Sequence, residues 1–340
     1  MRRALRIWAG LWLVAAGLAA ASPAAAESGE AAAIRRELSA AAARDGASSP
    51  RLLPLLDRLA AAEFRDGDLA AALASRRRAL KLAVAAFGTE APATAEATAA
   101  LALLQIERQR YLDAEGLLIV ARRRLGDATP ASIPVLSGLA RIALARGDPA
   151  RARPLAERAV ALMTAQREPR SAEPLRVLGA VDAAERRFDD GVAVLNRALA
   201  FDRARRDPLE LARSLAALGG VYLRADRFAE ALPPLEEAAA LDQEALGPNH
   251  PAIADDFHDL AIACEGLKRA GEARRLLAAA IALLERGDGR NSPRLAFAEL
   301  ELSRLQRETG DGEAADASFA RARRILNAAE DEERERERRL

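Results

Sequence analysis

The sequence predicts an all-α solenoid of about seven antiparallel helix pairs. Three observations predict it. A leucine recurs at Leu59, Leu101, Leu139, Leu178, Leu218, Leu260 and Leu302, spaced by 42, 38, 39, 40, 42 and 42 residues. A period in that range marks a stack built from one helix pair per unit. Twenty residues after each leucine stands an alanine: Ala79, Ala121, Ala159, Ala198, Ala238, Ala280 and Ala322. Between the two lies a breaker or polar turn, eight residues after the leucine, at Gly67, Gln109, Gly147, Arg186, Asp226, Lys268 and Gly310. Glycine there offers the positive φ that ends one helix and turns the chain back.

Residues 1–26 have the layout of a secretory signal peptide. Arg2, Arg3 and Arg6 form a short basic start, Ile7 to Ala21 is uncharged and apolar, and Ala24-Ala25-Ala26 supplies small residues for cleavage. Cleavage after Ala26 would leave Glu27 as the first residue and send the protein to the periplasm or outside the cell, with no integral membrane association afterwards. An uncleaved anchor is the competing reading, although the run is short for a span of about 20 residues. Both tryptophans, Trp8 and Trp12, fall in this segment. Residues 27–49 read as an alanine-rich helix, Ser28 to Arg44, then a breaking Ala47-Ser48-Ser49-Pro50. That helix would cover the open end of the stack, since a terminal repeat lacks a neighbour.

Residues 50–328 carry the repeats. Thirteen residues after each leucine stands a small residue: Ala72, Ala114, Ala152, Gly191, Ala231, Ala273 and Ala315. Where two helices cross closely a large side chain would hold the axes apart, so alanine or glycine sits at the contact. Four residues further on, Leu118, Leu195, Leu235, Leu277 and Phe319 fill the space beside it, while Arg76 and Ala156 break the rule. Residues 329–340 are almost entirely charged, with glutamates alternating with arginines, which suits a solvated extension of the last helix.

These marks resemble the tetratricopeptide repeat (TPR), most clearly in Leu215-x-x-Leu218-Gly219-x-x-Tyr222 followed by Phe228, Ala231, Leu235 and Ala238. The longer unit is similar to the subclass of kinesin light chains, whose Leu-Gly-x-x-His-Pro-x-x-Ala linker reads here Leu246-Gly247-Pro248-Asn249-His250-Pro251-Ala252-Ile253-Ala254. Worn copies run from Phe87 to Pro92, Leu125 to Pro130 and Gly289 to Pro293. The resemblance implies a TPR superhelical solenoid whose first helices line a concave groove, and a protein or peptide partner. In such stacks the residues two before and two after the repeat leucine face that groove. The asparagines that kinesin light chains place at the earlier position are missing, as is the lysine–asparagine clamp of chaperone-binding members.

Charge is close to balanced. The 51 basic residues less Arg2, Arg3 and Arg6 leave 48 against 50 acidic ones, which gives no general attraction to nucleic acid. Cys264 stands where the parent motif has a core tyrosine and reads as a buried small hydrophobe. Arg146-Gly147-Asp148 and Arg286-Gly287-Asp288 spell an adhesion tripeptide, but the first falls on the turn inside a repeat and the second near a linker between repeats, so local structure explains both. No nucleophile elbow or phosphate loop appears, and no cofactor is implied. The chain reads as a non-enzymatic scaffold that holds a partner segment, with Arg141, Arg176, Arg213, His258 and Arg304 as its groove residues. The three arginines Arg141, Arg176 and Arg213 suit an acidic segment, because guanidinium pairs carboxylates in two-pronged fashion. The competing classes are a small-ligand or metal-binding module near His250 and His258, and a hydrolase working through carboxylates.

Overall fold

A computed structural model describes residues 29–287 and 292–338. The expected signal segment 1–26, with Trp8 and Trp12, lies outside them, as does most of the linker copy 289–293. Among the described residues there are 15 α-helices and no strand. A first helix, α1, spans Glu30–Asp45. Pairs follow: α2 (Leu53–Arg65) with α3 (Leu69–Phe87), α4 (Pro92–Glu107) with α5 (Tyr111–Leu125), α6 (Ile133–Ala145) with α7 (Pro149–Thr164), and α8 (Glu173–Ala184) with α9 (Phe188–Arg205). Then come α10 (Pro208–Arg224) with α11 (Phe228–Leu246), α12 (Ile253–Gly266) with α13 (Ala270–Gly287), and α14 (Pro293–Glu308) with α15 (Gly312–Arg338). The chain divides into two compact units, one within Ala21–Arg205 and one carrying Arg206–Leu340.

Every pair closes through the same turn. The residue eight after the repeat leucine is left-handed in all of the described pairs: φ is 79° at Gly67, 72° at Gly147 and 85° at Gly310, but also 57° at Gln109, 63° at Arg186, 57° at Asp226 and 62° at Lys268. Its N–H donates to the carbonyl three residues back, and the next N–H to the carbonyl five back. Lys268 N–H thus reaches Glu265 O at 2.8 Å, and Arg269 N–H reaches Cys264 O at 2.8 Å. This is the Schellman pair, which satisfies two carbonyls that the helix end would leave bare. Glycine is therefore not what makes the turn. Four side chains accept the strained region because the paired hydrogen bonds and the packing beyond hold the backbone there. The linkers between pairs use glycine at Gly88, Gly126 and Gly247, with φ of 82°, 70° and 85°. A proline then opens α4 at Pro92 and the short 3₁₀ turn at Pro130, where its missing N–H costs nothing.

The small positions are buried as the repeat demands. Ala72, Ala114, Ala152, Ala231, Ala273 and Ala315 are at 0% exposure. None of the seven closing alanines exceeds 2%. Two glycines one residue after the leucine show how close the helices come. A Cβ on Gly179 would lie 2.7 Å from Leu195, and one on Gly219 would lie 2.4 Å from Leu235. In the first unit Ile34 and Leu38 of α1 pack with Leu52, Leu56 and Leu59 in one apolar cluster. In the second, Leu235, Ile253, Phe257, Leu277, Leu283 and Leu295 form a continuous core from α11 to α14. Cys264 is buried in it, and burial pushes its thiol up to about 11. Phe319, on α15, departs from the pattern at 46% exposure.

The turn generates a stability test. Lys268→Gly removes the steric cost of a side chain in the left-handed region without touching a packed group, since Lys268 is exposed. The variant should gain about 1 kcal/mol, read as a higher urea midpoint. An unchanged or lower midpoint would show that the turn is relaxed with lysine in place.

Candidate functional site

The first helix of each pair presents the residues two before and two after its leucine. The structure divides them. Ala99, Ser137 and Arg176 are buried at 4%, 1% and 6% exposure, so the earlier position in the first unit is mostly packing and not open surface. Asp57, Ala61 and Ala180 are exposed in that unit. In the second unit Ala216, Gly220, His258, Ile262 and Leu300 are half-buried and Arg304 is exposed. Phe297, one turn before Leu300 on α14, is 60% exposed. Its spacing of three residues puts it on the same helix face as Leu300.

The groove arginines are already engaged. Arg141 donates to Glu107 at 2.9 Å and lies 3.6 Å from Glu173. Arg176 bonds the same Glu173 at 3.0 Å and lies 3.5 Å from the fully buried Asp202. Arg141 and Arg176 are thus brought together through one carboxylate. Arg213 belongs to the other unit and pairs with Glu210 on its own helix at 2.6 Å. Arg304 holds both oxygens of Glu265, at 2.7 and 2.6 Å, with Glu308 at 2.9 Å. These pairs lower the energy of the guanidinium form, so Arg304 is raised by its bond to Glu265, with Glu308 adding to it.

Most of these bonds run between repeats. Arg141 to Glu107 and Arg304 to Glu265 join successive first helices, and so does His258, whose Nε2 lies 2.8 Å from Glu301. Arg294 of α14 also meets Asp255 of α12. Part of the expected arginine surface is thus a set of bonds between neighbouring first helices within each unit. Exposed pairs of this kind stabilise by only ~0–1 kcal/mol each, but they fix where each charge points.

The two histidines have separate tasks. His250 is 7% exposed, and its Nδ1 accepts the N–H of Ala252 at 3.1 Å, which shapes the linker before α12. Asn249 beside it accepts a bond from Arg286 at 2.9 Å. His258 lies 3.6 Å from Asp259 and is hydrogen-bonded to Glu301. Among the described residues no three histidine, cysteine or carboxylate side chains gather as metal ligands. The adhesion-like tripeptide at Arg146 is likewise local: Gly147 is the left-handed turn, and Asp148 caps α7 by accepting the Arg151 N–H at 2.9 Å.

A feature without any sequence signal is the carboxyl pair Asp242 and Asp256. Burial raises both above the usual carboxylate range, and the nearby Asp242 raises Asp256 further. Asp256 is 6% exposed. The pair sits where α11 packs on α12, with Asp242 half-buried.

His258 carries a pH dependence. Its bonds to Asp259 and Glu301 raise it to about 10, above the 6.5 of a free imidazole. The stabilisation it gives is fully present below about pH 6.5 and fades as pH climbs through about 10. The difference in melting temperature between the native chain and His258→Gln should accordingly be largest near pH 6 and vanish above about pH 10. A difference that is constant with pH would mean the imidazole is neutral.

Three kinds of comparison place this architecture among known proteins. Residues 210–286 match the family model of the tetratricopeptide repeat. No curated protein matches the sequence. Among solved structures, BtubC (BKLC) from P. vanneervenii is 18% identical with a TM-score of 0.52, covering 65% of this chain and 91% of its own. A putative kinesin light chain with nearly identical TPR-like repeats from Podosopora anserina is 21% identical at a TM-score of 0.48, covering 59% and 97%. Pseudomonas aeruginosa pilF is 20% identical at 0.44, covering 72% and 99%. The first shares the fold. Residues 210–286 thus carry tetratricopeptide repeats, and the same helix pair, turn and small-residue contact recur along both units.

Proposed function

We propose that the protein is an interaction scaffold that holds a polypeptide segment of a partner on the first helices of its second unit, α10, α12 and α14. One observation carries this reading. Phe297, exposed at 60%, continues through the half-buried Leu300 on α14, and Ile262, two residues after the repeat leucine of α12, presents a further half-buried aliphatic on the preceding first helix. An apolar strip on helices otherwise faced with ion pairs suits an anchor side chain from a partner. The flanking charges, Arg304 with Glu265 and His258 with Glu301, form a polar rim. The acidic-segment reading of Arg141, Arg176 and Arg213 is narrower, because an incoming carboxylate must displace Glu107, Glu173 or Glu210 from them. Scaffolding needs no chemistry from the chain.

We also infer that the scaffold works outside the cytoplasm. The basic start, apolar run and Ala24-x-Ala26 ending support this. Among the described residues no helix is long and apolar enough to cross a membrane.

Two measurements follow. Protein recovered from its native host should begin at Glu27 by mass spectrometry and show no tryptophan fluorescence; a chain retaining Met1–Ala26 in the membrane fraction favours the anchored form. Affinity capture from the host's periplasmic extract should yield a partner with the native chain. The Phe297→Asp, Leu300→Asp variant should retain about a tenth of it or less, a loss of ~1.4 kcal/mol or more. Equal capture by the variant would rule out this strip as the binding surface.

A further inference from the structure

Arg153 and Arg274 occupy the same place in their repeats, fourteen residues after Leu139 and Leu260. Their surroundings differ sharply. Arg153 meets three carboxylates: Asp182 at 2.7 Å, Glu185 at 2.7 Å and Glu157 at 3.2 Å. The positions that supply those carboxylates correspond, in the register of Arg274, to Gln306, Thr309 and Ala278. An amide, a hydroxyl and a methyl stand where one repeat interface has three negative charges. Arg274 bonds Thr309 Oγ1 at 2.9 Å and turns to Asp311 at 3.0 Å.

Beside it a cavity of about 400 Å³ opens between α13 and α14, lined by Gly271, Arg274, Arg275, Ala278, Leu302 and Gln306. Gln306 is 9% exposed, and its buried Oε1 accepts no hydrogen bond. A buried acceptor left bare is costly and calls for a partner. The cavity thus offers a guanidinium short of the anions its counterpart has, the Gln306 amide, whose bare and covered oxygen comes within reach on a turn of its side chain, and an apolar floor at Leu302 and Ala278.

We propose that this seam binds a carboxylate-bearing peptide segment. The carboxylate pairs with Arg274 from within the cavity, as Asp182 pairs with Arg153. A backbone N–H of the same segment donates to Gln306 Oε1. A short aliphatic part lies over Leu302 and Ala278. An inorganic anion or a lone acetate would satisfy the guanidinium but leave Gln306 Oε1 bare, whereas a peptide residue carries anion and donor a few atoms apart. The site does not depend on the strip of Phe297 and Leu300, so either stands without the other.

The test uses the mature full chain and ligand-observed NMR titration with four probes. Two carry the carboxylate from different sources: an N-acetylated, C-amidated tripeptide with aspartate between two alanines, and N-acetyl-trialanine with a free C-terminus. The third replaces aspartate by asparagine, and the fourth is acetate. At least one carboxylate peptide should bind saturably with a Kd of about 1 mM or tighter, and which of the two binds identifies a side chain or a chain end as the source. The asparagine peptide and acetate should bind about tenfold more weakly or less. Gln306→Glu restores the missing carboxylate from within the protein, and should weaken the peptide at least about tenfold while leaving the melting temperature unchanged or higher. Arg274→Gln should weaken it similarly, and the Gln306 variant decides alone should that protein fail to fold. No saturation by either carboxylate peptide, equal binding of the asparagine peptide or of acetate, or undiminished binding to Gln306→Glu would each overturn the assignment.

Discussion

Each helix pair turns back on itself at one left-handed residue, and the rest of the architecture follows from that turn. The two N–H groups that leave it are tied to carbonyls three and five residues back, which fixes the exit direction of the second helix to within a narrow range. Only then does the small residue five positions later meet the first helix, and only then does the bulky residue after it fall into the space beside the contact. At Gly219 that space is so tight that a methyl would sit 2.4 Å from Leu235. The turn is thus a constraint of geometry before it is a question of residue type. Gln109, Arg186, Asp226 and Lys268 hold it against an intrinsic cost of ~1–2 kcal/mol each, which the burial of the leucine and alanine positions on both sides offsets.

The abundance of arginine takes on a different meaning once the pairs are stacked. A first-helix arginine lies opposite a glutamate or aspartate roughly one repeat away, as with Arg141 and Glu107 or Arg304 and Glu265. Planar guanidinium suits this because it can grip both carboxylate oxygens at once, as Arg304 does with Glu265, which fixes how the two helices sit. Near-neutral composition is the same fact seen in sum: the charges cancel locally, repeat against repeat. The apolar surface left beside these pairs in the second unit includes Phe297, Leu300 and Ile262, the strip proposed above for a partner.

The backbone frame was legible because each of its requirements leaves a mark at a fixed spacing. Small residues at close contacts, leucines at the filling positions and a proline after a linker glycine are periodic, and periodicity survives translation into structure. The site was less so. The position two before the leucine is open surface at Asp57 but buried at Ser137 and Arg176, because how far a helix face is covered depends on the neighbouring pair and not on its own register. Arg176 has the right position for the groove, yet the buried Asp202 on α9 draws it inward. Asp242 and Asp256 carried no signal at all, since their meeting depends on how α11 lies on α12. His250 was readable as part of the linker, and its Nδ1 bond to Ala252 gives that reading its physical cause.

Repetition also separates what the fold must keep from what it is free to change. The left-handed turn, the repeat leucine and the closing alanine recur in every pair, so variation there would break the stack. The position four residues after the leucine is not so bound: it holds Glu63, Gln105, Ala143, Asp182, Tyr222, Cys264 and Gln306. Where it is an acid the seam closes on a cation, as Glu63 does with Arg35 at 2.8 Å and Asp182 with Arg153. Where it is Cys264 the seam is dry and apolar. Where it is Gln306 the backbone geometry is retained but the charge that would close the seam is not, and a cavity results. A solenoid can thus alter one interface between repeats without disturbing the next, because each seam draws its chemistry from a few side chains while the turn alone maintains the frame.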